Sequence, residues 1–427
     1  MLLIGIEHPT PRARYIVQHV LGRMLGFEIA IAEGREEFIN SAAPKLWYGN
    51  SSVEEALNIG SCGWLSENDN RPLEPPSAMM DGVPVIFPVN EDHDPFAAAF
   101  YLLSRIEEYT ATQRDHHDRF PAEAHFVVRH GMSNRPVVDL WALRLANKIR
   151  AKYPSLPSSL RKYSHRVTID VDNGLKYLGR PMLRQGGAIF RDLVKGNVSA
   201  AADRFGVIRG RTKDPFDIYD RLIDSKLDGM ILFFLVRGGG RFDHAADIGH
   251  PVLAKAIRSL ASGDHLGLHP SYESSKRDEL IKLEKEQLEK IASKRVTRSR
   301  QHFLRWKMPS TLRYLESIGM KEEHSMGFSD RPGFRAGTCT PFPWYDLEQE
   351  RETKLMVHPF ATMDSAFHDR MKMRASEAKA PMLRMAAEVR AVNGTFISVW
   401  HDRFLSGHGE WKGWPEAFHE VIDKAAP

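Results

Sequence analysis

The sequence predicts an α/β protein in which a smaller mixed α/β region, residues 1–160, precedes a larger region of alternating strands and helices, residues 161–427. Three observations lead to this prediction. After residue 165, about seven apolar runs alternate with amphipathic helical patterns, as is typical of a parallel sheet with helical crossovers. The first region lacks this alternation and mixes short elements with loops. A Pro- and Ser-rich stretch at 153–166 separates the two regions, and both an open sheet and a closed barrel fit the second.

The composition excludes several classes of protein. Hydrophobic residues make up 42% of the 427 positions, which is too many for a disordered chain and enough for sizeable cores. The net charge of +4 favours an ordinary, slightly basic globular protein over one that binds nucleic acid. Cys62 and Cys339 form no CxxC pattern, so a reducing compartment fits better than a disulfide framework. Because no apolar run is long enough for a signal sequence or a membrane span, we expect a cytoplasmic protein.

Four elements are predicted in the first region. Apolar residues recur at helical spacing in three segments, and Asp94 and Pro95 occupy cap and first-turn positions of the second helix. The elements are a helix over 9–26, a strand over 82–90, a helix over 94–111 and a helix over 136–153.

Seven strands and five helices are predicted in the second region. Each strand is an apolar or β-branched run of a few residues, and each helix repeats its apolar residues at a period near 3.6. The predicted strands are 166–171, 229–236, 265–270, 300–306, 320–328, 354–360 and 395–402. The predicted helices are 218–227, 252–263, 276–294, 309–319 and 382–394, and three of these close on a glycine.

Polar side chains collect where the predicted strands end. In a parallel α/β fold these ends meet on one side, which is where active sites lie. We therefore expect them to converge on one site of the kind that a metal-assisted hydrolase uses. The residues concerned are Asp170, Asp172, His269, Ser271, Tyr272, Glu273, Ser274, Arg300, His302, Asp330, Arg335, His358, Asp364, His401 and Asp402.

The pair of aspartates in "TIDVDNG" is the clearest of these signals. Asp170 and Asp172 are two residues apart on a strand, so both can point to the same side. One carboxylate can then bind a metal while the other acts as a general base, provided that a cation or an arginine offsets their repulsion. Asp-Asn-Gly is also a strong turn signal, which would explain Asp172 without chemistry but would not explain Asp170 inside the strand.

Other polar residues have simpler explanations. Lone histidines are more often structural than metal-binding, so His269 and His401 taken singly do not predict a site. The glycines at 238–240 lack the spacing of a phosphate loop and predict a turn. Arg295 and Arg298 fit a solvated connection between a helix and a strand at least as well as an anion-binding face.

The order of these motifs resembles that of the polysaccharide deacetylases, the carbohydrate esterases with NodB homology, over residues 165–427. "TIDVDN", "MILFFLV", "GLHPSYESS" and "SVWHD" are similar to four of the family's strand motifs, and "SRQHFL" stands in the place of its Arg-Pro-Pro-Tyr motif. The resemblance implies a distorted (β/α)7-type barrel. In the first region, "DPFAAAFYLLSRIEEY" and "DHHDRF" resemble an uncharacterised domain that precedes such deacetylase-like domains in some bacterial proteins.

The resemblance also implies roles for individual residues. Asp170 would be the general base, Arg300 would orient it, and His401 would be the general acid. These roles require that the three side chains meet at one mouth of the barrel.

A divalent metal, zinc, is implied as the cofactor. Asp172 and His269 would be two of its ligands. The family's second metal histidine falls four residues after His269, where this chain has Glu273, and His302 occupies a position that is usually proline. Carboxylate and imidazole both bind zinc, so Glu273 and His302 are alternative third ligands.

The resemblance implies a metal-dependent hydrolase that removes acetyl groups, as amide or ester, from a sugar or polysaccharide intermediate. Tyr272, Trp344 and Tyr345 are candidates for stacking on sugar rings, and Arg335 for contact with an anionic substituent, although core packing or loop fixing explains each equally well. A deacetylase-like protein that has lost activity and serves in carbohydrate binding or polysaccharide assembly is the alternative. A nucleic-acid enzyme has only the pI in its favour, so we expect no nucleic-acid partner, and the oligomeric state is left open.

Overall fold

The protein is described by a computed structural model that covers residues 1–67, 70–71, 73–157, 161–225 and 227–427. Part of the stretch that predicts the domain boundary, 158–160, lies outside the described residues, as does residue 226 in the helix predicted over 218–227. Within the described part, no helix combines the length and the apolar character needed to cross a membrane.

Strands are distributed along the whole chain. Those of the described residues are β1 (Leu2–Ile6), β2 (Ile29–Ile31), β3 (Lys45–Gly49), β4 (Leu57–Gly60), β5 (Ser77–Met80), β6 (Val83–Ile86), β7 (Pro88–Val89), β8 (Asp92–His93), β9 (Ser164–Val171), β10 (Ile231–Leu235), β11 (Leu266–His269), β12 (Arg298–Ser299), β13 (Glu322–Glu323), β14 (Phe342–Asp346), β15 (Arg351–Val357), β16 (Thr362–Met363) and β17 (Thr395–His401).

Helices lie between most of these strands. The α-helices are α1 (Pro11–Val17), α2 (Arg35–Asn40), α3 (Pro95–Ser104), α4 (Ile106–Tyr109), α5 (Phe126–Arg129), α6 (Val137–Lys152), α7 (Met182–Val194), α8 (Val198–Ile208), α9 (Tyr219–Asp224), α10 (Pro251–Ser262), α11 (Glu279–Ala292), α12 (Ser310–Ser317), α13 (Ala375–Ala391), α14 (Asp402–Leu405) and α15 (Trp414–Ala425). Gln18–Met24 and Ala366–Arg370 are π-helical, and Trp64–Ser66, Ala122–Ala124, Tyr272–Ser275, His302–Leu304 and Gly409–Trp411 are 3₁₀ turns.

Two sheets organise the chain. A parallel sheet of four strands, in the order β2-β1-β3-β4, belongs to the first region. A sheet of nine strands, in the order β14-β15-β13-β12-β11-β10-β9-β17-β16, belongs to the second and is parallel except for the antiparallel pair β14–β15. The predicted α/β class with a large parallel sheet is therefore confirmed. Among the described residues β14 and β16 are the edge strands of the row, and closure into a barrel stays a prediction.

One predicted strand is wrong in a way that matters for the site. The segment 300–306 is not a strand, because the strand is only Arg298–Ser299 and a 3₁₀ turn follows at His302–Leu304. Phe303 and Leu304 have positive φ angles of 59° and 55°, and left-handed backbone cannot continue a strand. This turn points His302 towards the strand ends.

Other predicted elements are present with altered bounds. The strand predicted over 320–328 is reduced to β13, and the one predicted over 354–360 begins earlier, at Arg351. The helix predicted over 9–26 is α-helical only to Val17 before it becomes π-helical. The strands β1–β4, β14 and β16 and the helices α7 and α8 have no counterpart in the prediction. These strands have few residues, and their identity depends on the neighbours with which they pair.

A continuous hydrophobic core joins the two regions. Helices α1 and α3 pack against the hairpin β14–β15: the ring of Tyr15 lies 4.9 Å from that of Tyr345, and the ring of Phe100 lies 5.2 Å from it. The hydroxyl of Tyr15 donates a hydrogen bond of 2.7 Å to the carbonyl of Pro343. The hairpin at the edge of the large sheet therefore anchors the first region.

Replacing Phe100 with Ala is expected to destabilise the protein by about 3–5 kcal/mol, because the ring is fully buried at the junction of the two regions. The measurement is the urea midpoint followed by tryptophan fluorescence. Phe190→Ala, at a ring that is 70% exposed, is the control and should cost less than about 0.5 kcal/mol. Equal midpoints for the two variants would contradict a shared core.

Candidate functional site

The carboxyl ends of the central strands bring the predicted site residues together. Asp170 lies in β9, next to His401 of β17 in the sheet register, and His269 is the last residue of β11. Asp172 follows β9 by one residue, and His302 lies in the turn after β12. Because neighbouring parallel strands end at the same edge, side chains far apart in sequence face one another here.

Three of these side chains converge on one point. The ligand atoms of Asp172, His269 and His302 all lie within 4.8 Å of one another. Oδ1 of Asp172 is 3.3 Å from Nε2 of His269 and 3.6 Å from Nε2 of His302. This oxygen is buried and has no hydrogen-bond partner among the described residues. A buried carboxylate oxygen without a donor is costly, and a cation between the three groups would satisfy it.

The two histidines are oriented by their other ring nitrogens. Nδ1 of His269 donates to the carbonyl of Arg300 at 2.5 Å, and Nδ1 of His302 donates to a carboxylate oxygen of Asp243 at 2.8 Å. Because both partners are acceptors, Nδ1 of each ring carries a proton and Nε2 is the ring atom that faces Asp172. Two imidazole nitrogens and one carboxylate oxygen fit a catalytic zinc site, which keeps a fourth position open.

The structure distinguishes the two alternatives for the third ligand. His302 belongs to the group of three, whereas the side chain of Glu273 is exposed and lies outside it. Asp243, which the sequence did not indicate, also accepts a hydrogen bond of 2.9 Å from the backbone N–H of Tyr272. No local signal marks Asp243, because it lies in an irregular loop after β10 and its role depends on His302.

Electrostatics favour the charged form of the carboxylate in the group of three. Burial raises the pKa of Asp172, but His302, His269, His401 and Arg403 outweigh burial and hold that pKa well below its usual value. The carboxylates of the site act in the other direction on His269. Burial lowers its pKa, and the carboxylates of Asp170 and Asp172 raise it further than burial lowers it.

A buried ion pair lies beside the three converging side chains. Nη1 of Arg300 donates to Oδ1 of Asp170 at 2.7 Å, and Nη2 donates to the hydroxyl of Thr168 at 2.9 Å. Nε donates to the carbonyl of His324 at 3.0 Å, so all three nitrogens are engaged and the guanidinium is held rigidly. Oδ2 of Asp170 lies 3.9 Å from Nε2 of His269. Arg300 therefore orients Asp170 and leaves its second oxygen towards the candidate metal ligands.

His401 faces the same point from β17. Its Nδ1 donates to Oδ1 of Asp364 at 2.5 Å, and its backbone N–H donates to Oδ2 of the same carboxylate at 2.8 Å. Nε2 lies 3.8 Å from Oδ2 of Asp172. Burial lowers the pKa of His401, but Asp364 outweighs burial and raises it to about 9. The imidazole is therefore protonated near neutral pH and can give up a proton from Nε2.

Two residues after β17 act on the aspartate turn. Nη1 of Arg403 donates to Oδ2 of Asp172 at 2.6 Å, so the two oxygens of this carboxylate have different neighbours. Asp402 accepts from the backbone N–H groups of Asn173 and Gly174 at 3.0 and 2.7 Å. The turn interpretation of Asp-Asn-Gly and the site interpretation of Asp172 are thus compatible. The sequence did not indicate Arg403 for the site, since an arginine after a strand is common.

Six residues of the site line a cavity of about 300 Å³, namely Asp170, Asp172, His269, His302, His401 and Arg403. Arg119, from the first region, is part of its wall and donates to the carbonyl of Phe303 at 2.9 Å and to Asp115 at 2.8 Å. A second cavity of about 440 Å³ adjoins it and is lined mainly by 115–125 and by the segment that carries Arg335. The residues common to both cavities are Arg119, Leu304, Ser329 and Arg370.

The predicted substrate contacts occupy different positions. Arg335 lines the second cavity, where its Nη2 donates to Glu108 at 2.7 Å. Tyr272 is buried behind the wall of the first cavity, with its ring 4.3 Å from that of Phe242, which does line it. Trp344 is fully buried in the core that joins the two regions and lines neither cavity, and Tyr345 lies beside it. Core packing is therefore the better interpretation of these two aromatic residues.

A second group of potential ligands lies on β13 and after β15. Glu322, His324 and His358 also have ligand atoms within 4.8 Å of one another. The rings of His324 and His358 are stacked, with centroids 4.4 Å apart and planes 9° apart. Nearly parallel rings direct their lone pairs side by side, whereas zinc requires them to converge at about 2 Å. Glu322 instead bridges His324 and Arg298 at 3.1 and 3.2 Å, so we interpret this group as structural.

Comparison with known proteins finds one family model that matches part of the chain and solved structures that are similar to it. Residues 2–154 match the model of DUF7033, a family of unknown function, in line with the uncharacterised region expected there. A crystal structure of a protein from Mycobacterium smegmatis, provisionally described as a polysaccharide deacetylase, is similar with a TM-score of 0.40 and 16% identity. That similarity covers 63% of this chain and 86% of the other. No curated protein matches the chain.

The third ligand can be tested by zinc binding. His302→Gln should weaken zinc affinity by more than about 100-fold, because the loss of a ligand exceeds the roughly 10–100-fold effect of losing an outer partner. Asp243→Asn should fall within that smaller range, and the exposed Glu273→Gln is the matched control. The measurement is a competition titration against a chromophoric chelator with metal-stripped protein. A loss in Glu273→Gln without a loss in His302→Gln would reverse the assignment.

Proposed function

We propose that the protein is a metal-dependent hydrolase that removes acetyl groups, as amide or ester, from a sugar or polysaccharide. The observation that carries this proposal is the arrangement around one cavity of a candidate zinc site, an aspartate held by Arg300 and a histidine held by Asp364. Hydrolysis of an acyl group needs these three capabilities together, namely activation of water, removal of its proton and protonation of the leaving group.

Asp172, His269 and His302 would hold the zinc ion. When bound, the ion supplies a Lewis acid that polarises an acyl carbonyl and makes water more acidic. Oδ2 of Asp170 would take the proton from the attacking water, because Oδ1 is engaged by Arg300 and Oδ2 faces the ligand group.

His401 would be the general acid that protonates the leaving group. Its Nδ1 is engaged by Asp364, so the proton on Nε2 is available to the leaving amine or alkoxide of the sugar. Water adds to the acetyl carbon as it gives its proton to Asp170, the bond from that carbon to nitrogen or oxygen then breaks as His401 protonates the leaving atom, and the products are acetate and the deacetylated sugar. Asp364 would raise the basicity of His401 after proton donation and so prepare it for the next cycle.

The adjoining second cavity supports a substrate longer than one sugar. The two cavities meet at Arg119 and Arg370, so a chain that places one acetyl group beside Asp172 can continue into the second cavity. Arg335 lies there and would contact an anionic or hydroxyl substituent.

We extend the proposal to the domains. Residues 161–427 would form a deacetylase-like distorted barrel, and residues 1–160 a separate domain that supplies one wall of the cleft through Arg119. The order of the nine-stranded sheet and the location of the site at its carboxyl edge support this arrangement.

Acetate release from a panel of N- and O-acetylated mono- and oligosaccharides tests the function. Zinc-loaded protein should release acetate, and Asp170→Asn should lower the rate by about 100–10,000-fold, the usual contribution of a general base. Zinc affinity should remain within about tenfold in this variant, since Asp170 is not a proposed ligand. Glu273→Gln, exposed near the site, should keep the rate of the unchanged protein.

The same panel separates the alternative function. A protein that binds zinc and acetylated oligosaccharides but releases no acetate would favour a carbohydrate-binding or assembly role. Equal rates for Asp170→Asn and the unchanged protein would contradict the proposed base.

A further inference from the structure

Exposed apolar side chains are concentrated on two neighbouring helices, α7 and α8. The described part of the chain exposes thirteen large apolar side chains, and eight of them lie within 182–208. Met182 and Leu183 are 89% and 94% exposed. Soluble proteins rarely leave such a cluster uncovered, so this surface is a candidate for contact with another phase or molecule.

Helix α7 presents its apolar face outwards. Met182, Leu183, Phe190, Leu193 and Val194 fall on one face at helical spacing, and all are exposed. An amphipathic helix of a globular domain normally buries this face and exposes its polar one, so the orientation is the reverse of the usual one.

The polar face of α7 is what holds it to the protein. Gln185 is buried, its amide donates to the carbonyl of Tyr177, and its side-chain oxygen accepts from Nη1 of Arg204 at 3.0 Å. Nη2 of Arg204 also lies 3.5 Å from Asp192. Polar contacts therefore fix which way the helix faces, and the apolar stripe is left on the surface.

Positive charge is concentrated in the segment that carries this apolar face. Residues 180–213 include eight Lys and Arg against two Asp, a net charge of +6. Since the whole chain has a net charge of +4, the remaining residues sum to −2. An apolar stripe bordered by basic residues is the pattern of helices that lie in the interface of an anionic membrane. Pairing with a second copy would instead bring two surfaces of +6 together.

A basic cavity of about 350 Å³ lies beside α7 and α8. Its lining residues in the described part of the chain include no acidic side chain; they are Lys176, Arg180, Gln185, Gly187, Ala188, Arg191, Arg204 and His244. Nε of Arg204 is buried without a hydrogen-bond partner. Burial and crowding by Arg204 lower the pKa of Lys176 further than the nearby Asp203, Asp214 and Asp192 raise it. A phosphate group would relieve this crowding.

We propose that α7 and α8 dock the protein on an anionic lipid bilayer. The apolar face of α7 enters the boundary between head groups and acyl chains, and the basic cavity takes the phosphate of a lipid head group. His244 lines both this cavity and the cavity of the candidate active site, so docking brings that site close to the membrane surface. Docking does not depend on the proposed deacetylation, and each can fail without the other.

Vesicle sedimentation with the full-length protein tests docking. The protein should sediment with vesicles of equimolar phosphatidylcholine and phosphatidylglycerol at least about tenfold more strongly than with phosphatidylcholine alone, because each basic residue near an anionic surface is attracted to it. High salt should weaken this binding. Absence of binding to the anionic vesicles at low salt would overturn the proposal.

A matched pair of leucines tests the surface itself. Leu193 on α7 is 51% exposed and Leu283 on α11 is 52% exposed, so both tolerate a polar replacement equally well. Leu193→Glu should reduce vesicle binding by roughly tenfold or more. The change removes apolar area that the bilayer would bury, and it adds a negative charge that the anionic lipids repel. Leu283→Glu should bind as the unchanged protein does. Equal binding of the two variants would overturn the proposal.

The mass of the protein in solution tests the competing occupant of this surface, a second copy of the chain. Light scattering over a range of concentrations should give the same mass for the unchanged protein and for Leu193→Glu. A dimer that Leu193→Glu dissociates would assign the surface to a second copy and overturn docking on lipid.

Discussion

The arrangement of the site depends on one buried negative charge, that of Asp172. A carboxylate in this position is stable only if its oxygens face donors or cations, since an unpaired buried charge costs several kcal/mol or more. Arg403 satisfies Oδ2, while Oδ1 has two imidazole nitrogens nearby and no donor. The proposed zinc ion would bind this unsatisfied oxygen directly. The identity of the third ligand, His302, is therefore central to the site.

Groups around Asp172 are themselves oriented by a second set of partners. Asp243 fixes the ring of His302, Asp364 fixes that of His401, and the carbonyl of Arg300 fixes that of His269. Acidic and basic side chains alternate with increasing distance from Asp172, so each buried charge has a neighbour of opposite sign or a hydrogen bond. Such a network holds the reacting groups in place before substrate binds, and it explains why two carboxylates so close in sequence can have different proposed roles.

Both regions of the chain contribute to the surroundings of this centre. The first is anchored by the hairpin β14–β15 and extends Arg119 into the cavity wall, so the cleft is longer than the strand ends alone would make it. On another side, the basic cavity beside α7 and α8 shares His244 with the central cavity. The proposed hydrolase activity, the long cleft and the basic, partly apolar surface next to it would together suit a substrate or a location at an anionic interface.

The sequence by itself determined the α/β class, most of the central strands and the identity of the polar residues at their ends, because apolar runs, periodicity and strand spacing are local properties. Asp170, Asp172, His269, Arg300 and His401 were all found in this way; four of them line one cavity, and Arg300 holds Asp170 from behind. Only the tertiary structure places His302, and not Glu273, beside Asp172 and His269, because that placement depends on the left-handed turn at Phe303 and on Asp243, which is distant in sequence. It also decided that Trp344 belongs to the core and that the apolar face of α7 is exposed. An amphipathic pattern indicates that one face of a helix differs from the other, and only packing determines which face is buried.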